Sequence, residues 1–161
     1  MSLDSVRAFL AAKAPDIQII VTEQSSATVA LAAAAHGVSQ EQIAKTICLR
    51  AGDQLMLIVA SGTARLDNRK FKDRFGGKAR MLGAEEVLSV TSHPVGGVCP
   101  FGLPAPVPIY CDMSLQSFGE VVPAAGATNA AVRLSPLRLA ALVDAQWVDV
   151  CQDATVPAGA G

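Results

Sequence analysis

Two apolar runs of strand length, residues 44–50 and 54–61, are separated only by Ala51-Gly52-Asp53. So short a connection makes them an antiparallel hairpin. Around it, Leu3, Val6, Leu10 and Lys13 fall at helical spacing before Pro15, and residues 17–22 read as a strand. Ser26 is placed to cap a helix running through Val29, Ala32, Ala33 and His36 to Gly37, and Ser39 with Gln42 forms a capping box for one further turn. Asp67 is placed to cap a short helix that buries Phe71 and Phe75 and stops at Gly76-Gly77. Strands are expected at 79–82, 107–112, 120–123, 130–134 and 147–151, helical turns at 84–90, and a helix opening at Ser135-Pro136. Interspersed elements with a tight hairpin indicate a mixed α+β domain rather than a doubly wound parallel sheet.

The chain has 161 residues, 51% of them hydrophobic, enough for one core. A single domain is expected over residues 1–152, with a disordered tail at 153–161. No apolar run approaches the ~18–20 residues of a membrane span. Asp4 and Arg7 lie within the first amphipathic pattern, unlike a signal peptide, so a cytoplasmic protein is expected. Cys48, Cys99, Cys111 and Cys151 form no C-x-x-C pair and have no nearby His. Neither a zinc site nor a redox pair is expected, and no metal or cofactor is implied. The net charge of −1 excludes a global electrostatic footprint for long duplexes. Yet seven of the thirteen Lys and Arg residues lie within residues 65–80 beside only Asp67 and Asp73, a local charge of +5 that leaves −6 elsewhere.

Lys45 is the most informative single residue. On a strand it shares a face with Ile47 and Leu49, while Thr46, Cys48 and Arg50 share the other. An ammonium on an apolar face either snorkels at the strand edge or meets a phosphate or carboxylate. The loop from Val95 to Gly102, with Gly96, Gly97 and Pro100, is either a structural turn or a nest of N–H groups for an anion. Cys99 within it invites a thiol-nucleophile reading with His93, but no third orienting group is evident, and a packed thiol and a surface-loop His93 are the simpler assignment. Asp112 either holds the loop through backbone N–H bonds or ends its strand. Arg65, Arg69, Lys70 and Lys72 either contact phosphates or form a solvated helix face.

Ile43-Ala44-Lys45-Thr46 opening a strand, the Val95-Gly96-Gly97-Val98-Cys99-Pro100-Phe101-Gly102 loop, and Ile109-Tyr110-Cys111-Asp112 after it, in this order, resemble the YbaK-like aminoacyl-tRNA deacylases. These are relatives of the editing domain of bacterial prolyl-tRNA synthetases. The resemblance runs from about Thr28 to Asp149. It implies a mixed, mostly antiparallel, barrel-like sheet flanked by helices, with a cleft for the aminoacylated 3′ CCA end of tRNA. Lys45, Gly96 and Gly97 then carry catalysis. Lys45 holds the terminal phosphate or the aminoacyl group, and the glycine loop holds the ester carbonyl. Thr46, Val98, Cys99, Pro100, Asp112 and Gly126 line the substrate site. The implied activity is trans-editing hydrolysis of a small amino acid from mischarged tRNA, tRNA-Pro among the candidates, assisted by the tRNA's terminal 2′-hydroxyl. A synthetase is a further partner, and no membrane is involved. The different-class alternative is a non-catalytic tRNA- or nucleotide-binding module of the same fold. Family members often have serine where Cys99 stands, and some carry basic residues where this chain has Ala127, Thr128 and Asn129.

Overall fold

A computed structural model describes residues 2–152. The chain runs through α1 (Ser2–Lys13), β1 (Ile20–Val21), α2 (Val29–His36), a 3-10 turn (Gln40–Gln42), β2 (Ile43–Ala51) and β3 (Gln54–Ser61). It continues through α3 (Asn68–Phe75), β4 (Ala79–Met81), α4 (Ala84–Thr91), β5 (Ile109–Asp112) and a second 3-10 turn (Met113–Ser117). β6 (Val122–Pro123), β7 (Ala130–Ala131), α5 (Pro136–Leu142) and β8 (Gln146–Val148) follow.

The hairpin is the spine. β2 and β3 pair from Ala44↔Ser61 to Ala51↔Gln54 across a two-residue turn, where Gly52 adopts φ 60°. The main sheet runs β4-β2-β3-β5-β8, β6 also pairs with β2, and β1 and β7 form a separate ribbon. The expected α+β class holds, with two refinements. The sheet is open rather than closed, and β2–β6, β3–β5 and β5–β8 are parallel, so the mostly antiparallel character belongs to the β4-β2-β3 half.

Both faces of the hairpin are covered. On one, Leu49, Met56 and Ile58 pack with Phe71 of α3 and with Val148 and Val150. On the other, Cys48 and Leu57 meet Val87 of α4, and Val59 joins the largest cluster with Val6 and Leu10 of α1 and Leu139 of α5. Phe71 is fully buried, whereas Phe75 is only partly so, with Tyr110 edge-on at 4.9 Å.

Local chemistry sets the helix ends. Asp67 accepts from the N–H groups of Arg69 and Lys70, and Ser135 from that of Arg138, as their residue types require. The α2 cap is Thr28, which accepts from Leu31 N–H, and not Ser26. Ser26 is diverted because its N–H and hydroxyl both donate to the Thr128 carbonyl, at 2.6 and 3.2 Å. Ser39 precedes its turn but makes no side-chain cap bond, so the capping box does not form. The strand expected over 17–22 is paired only at Ile20 and Val21, because its partner β7 is two residues long. The tail at 153–161 lies outside the described residues. Among those, no helix is long and apolar enough to cross a membrane.

Candidate active site

The outer edge of β2 has two different neighbours and a break between them. β6 pairs with Ile43 and Ala44 only, and β4 with residues 49–51 only. The Leu82 N–H reaches the Cys48 carbonyl at 3.1 Å, which closes the β4 side of the break. A cavity of about 300 Å³ opens there. Its floor is β2 from Ile43 to Cys48, and its walls are the start of α2, Met81 and Leu82, Val87, and the glycine loop at Val95, Gly96 and Val98.

Because the Cys48 carbonyl points away from β3, strand alternation directs the Thr46 N–H and C=O the same way, into the break. The Thr46 hydroxyl is also buried and has no hydrogen-bond partner. Such groups are normally paired, and these lie at a floor whose walls are mainly apolar, with Ser26 and Thr28 the polar side chains among them.

Lys45 contributes to the floor, but its side chain takes the opposite face of β2 from Thr46. Its ammonium donates to the carbonyls of Gly62, at 3.2 Å, and Ala64. Lys45 is only partly buried, and two main-chain carbonyls rather than a carboxylate hold its ammonium among the described residues. Burial lowers the Lys45 pKa, the Cys151 sulfur opposes that shift, and the nearby Arg65 charge adds to it.

The glycine loop is held by close backbone approach. Gly96 has φ 94°, and a β-carbon there would lie 2.9 Å from that of Ala27. Gly97 donates its N–H to the Pro94 carbonyl at 2.8 Å and accepts from Gly126 N–H at 3.0 Å. The main-chain donor of Gly97 is therefore committed to the loop itself. Cys99 is fully buried, and burial pushes its thiol up to about 12, which suits packing and not nucleophilic attack at neutral pH.

His93 is not a surface loop residue. It is completely buried beneath the glycine loop, with Nε2 2.7 Å from the Phe101 carbonyl, its N–H bonded to the Thr91 hydroxyl, and Nδ1 without a partner. Burial is the main cause that lowers its pKa, against the bond to Phe101, which raises it. Asp112 is also buried, and each carboxylate oxygen accepts one backbone N–H at 2.9 Å, from Ser114 and from Val150.

Of the residues singled out in the sequence, Lys45, Thr46, Gly96 and Val98 meet at the cavity. Gly97, Cys99, Pro100, Asp112 and Gly126 stand outside its lining. The basic residues do not line it either. Arg69 and Lys72 are exposed on α3, while Lys70 bonds Asp149 and the Cys151 carbonyl. Sequence reasoning did not select Ala27, Met81 or Leu82, whose side chains carry no catalytic chemistry, or Thr28, whose hydroxyl caps α2. Only the small-residue run Ser25-Ser26-Ala27-Thr28 hints at a wall that must stay thin.

A family model described as an aminoacyl-tRNA editing domain matches residues 23–142. The chain belongs to that family. Its similarity to the "Uncharacterized protein YwhH" of Bacillus subtilis (strain 168) is 46% identity over 155 residues, 95% of this chain and 99% of that protein. A proline--tRNA ligase of Geobacter sp. (strain M21) is 32% identical over 98 residues, 60% of this editing-family chain but 17% of the ligase. Among solved structures, that of "a putative trans-editing enzyme for prolyl tRNA synthetase" superposes with a TM-score of 0.86 at 32% identity, covering 94% of this chain and 97% of the other. The structure of hypothetical protein APE2540 gives 0.84 at 31% identity, covering 92% and 99%.

Proposed function

We propose that this editing domain is a trans-acting deacylase that hydrolyses the ester bond between a small amino acid and a mischarged tRNA, with tRNA-Pro as the first candidate. The observation that carries this reading is the composition of the cavity. It is small, walled mainly by Val, Ala, Leu and Met side chains with Ser26 and Thr28 among them, and faced from its floor by the main-chain N–H and C=O of Thr46.

Among the lining residues there is no His, Asp or Glu, and the one thiol, Cys48, is pushed up to about 11 by burial. No side chain there is suited to act as general base at neutral pH. The substrate's own ribose hydroxyl fills that role in this reading by orienting the attacking water. Lys45 and Arg65, close enough to influence one another, take the terminal phosphate between them, which offsets their mutual repulsion. Gly96 and Val98 bring the loop against the aminoacyl group. Charged tRNA is the partner, a prolyl-tRNA synthetase is the source of the errors, and the cytoplasm is the setting.

The test is a panel of tRNAs mischarged with small amino acids. First-order loss of charge for at least one member, abolished by Lys45→Ala in a folded protein, is the expected result. Binding of tRNA with no hydrolysis anywhere in the panel would overturn the assignment as an enzyme.

A further inference from the structure

We infer that the break in the edge of β2 is a slot for the aminoacyl group itself, which Thr46 holds through main-chain hydrogen bonds as if it were one residue of an added antiparallel strand. This inference rests on the deacylase reading above and assigns the binding of the reacting group within it.

The break is one hydrogen-bonding residue long. β6 ends its pairing at Ala44, Leu82 takes the Cys48 carbonyl, and Thr46 between them faces the cavity with both N–H and C=O. In an antiparallel hydrogen-bonded pair, two residues exchange both main-chain bonds, each N–H to the other's C=O. An aminoacyl ester carries that complement on one unit: an α-ammonium donor and an ester carbonyl acceptor flanking one carbon. Edge addition of this kind is a general way to recognise extended chains. Here the space admits a single residue.

The pairing fixes the orientation. The ester carbonyl lies on Thr46 N–H, toward Lys45, so the ribose and its phosphate leave at the Lys45 end. The α-ammonium lies on the Thr46 carbonyl, toward Cys48. The amino acid side chain falls on the same face as the Thr46 side chain, beside the unpartnered hydroxyl.

The pairing also supplies a donor where charge develops. As the oxygen of water bonds to the ester carbon, the carbonyl electron pair moves onto the oxygen that Thr46 N–H holds. Collapse re-forms the carbonyl and breaks the bond to the ribose oxygen, which takes the proton given up by the water. The Gly97 N–H, already bonded to the Pro94 carbonyl, is not available for that oxygen. A fixed main-chain donor in this position is worth about 10²–10³ in rate.

The decisive variant replaces residue 46 in the full-length protein with the α-hydroxy acid counterpart of threonine, which exchanges the N–H for an ester oxygen. Single-turnover deacylation is expected to fall by about 10²–10³, with the melting temperature shifted by only a few degrees. Full activity in the folded variant overturns the slot and leaves the deacylase reading intact. If the variant does not fold, the substrate is changed instead: hydroxyacyl-tRNA, made by nitrous acid deamination, is expected to be hydrolysed at least about tenfold more slowly than its aminoacyl parent, since each lost hydrogen bond to a charged group is worth about 1.5–3 kcal/mol. Equal rates overturn the slot.

A third measurement separates the two readings. The non-hydrolysable probe 3′-alanylamino-3′-deoxyadenosine is expected to slow hydrogen exchange at the Thr46 amide. Such protection in a protein inactive on every mischarged tRNA keeps the slot and sinks the deacylase. No change at Thr46 with millimolar probe sinks the slot.

Discussion

The carbonyl of Gly97 accepts the N–H of Gly126 at 3.0 Å, which joins two glycine turns from distant parts of the chain into one wall behind the cavity. A β-carbon on Gly97 would lie 2.7 Å from the Ala127 nitrogen, too close for any real contact, and the opposing atom is backbone that cannot swing aside. Gly97→Ala is therefore expected to destabilise the protein by about 1–3 kcal/mol through overpacking. It should also reduce deacylation by more than that loss of folded protein explains. Thermal melts and activity per folded molecule check the two effects.

Lys45→Ala should separate function from stability. The ammonium is bonded to the carbonyls of Gly62 and Ala64, but both residues are only partly buried, so water can replace the lost donor, and release of the cation from its partial burial offsets part of the loss. A melting temperature within a few degrees of the parent is expected, together with loss of deacylation by at least about a hundredfold, as for removal of a charge-stabilising donor. Lys45→Arg is not a conservative change there, because a planar fork cannot reproduce the point contact with two carbonyls.

Acid stability should report on His93. Its folded pKa lies below the 6.5 of the free side chain, chiefly through burial, so the unfolded chain binds the proton more readily. The neutral ring's contribution is complete above pH 6.5 and is lost as pH falls through the depressed folded value. Protonation would also give buried Nδ1 a hydrogen with no acceptor. Urea midpoints should fall between about pH 7 and pH 5, and His93→Gln should flatten that fall. His36, also depressed first by burial and then by Arg133, leaves a residual slope.

Cys99→Ser should keep the deacylase activity. The thiol is fully buried and pushed up to about 12, and it does not line the cavity. Exchange for a hydroxyl in that apolar position costs about 1–3 kcal/mol of stability. Loss of turnover in a folded Cys99→Ser protein would instead identify the sulfur as a participant.

Asp112→Ala should be the most damaging of these changes to the fold. It leaves the N–H groups of Ser114 and Val150 without acceptors, and each buried orphan costs about 1–3 kcal/mol. Asp112→Asn retains one carbonyl oxygen and is expected to lose roughly half as much. Chemical denaturation distinguishes the two.

What could be read from the sequence follows how local each cause is. The hairpin needed only two runs and a short turn, and the Asp67 and Ser135 caps needed only their own helices. The choice between Ser26 and Thr28 as the α2 cap was not local. The Thr128 carbonyl, 102 residues away, captures Ser26. His93 beside a proline looked like surface, and only the returning Phe101 carbonyl makes its burial tolerable. Strand alternation placed Lys45 and Thr46 on opposite faces, as the register now has them. The break between β6 and β4 had no signature, because it depends on where two short strands stop pairing.

That break is shut at both ends, and the shutter on the amine side is the Leu82 N–H bonded to the Cys48 carbonyl. An acyl group lengthened by two or more amino acids at its α-nitrogen would come opposite Cys48 and have to displace that bond. Peptidyl-tRNA should accordingly be spared, so that a hydrolase able to strip errors from newly charged tRNA leaves growing nascent chains attached.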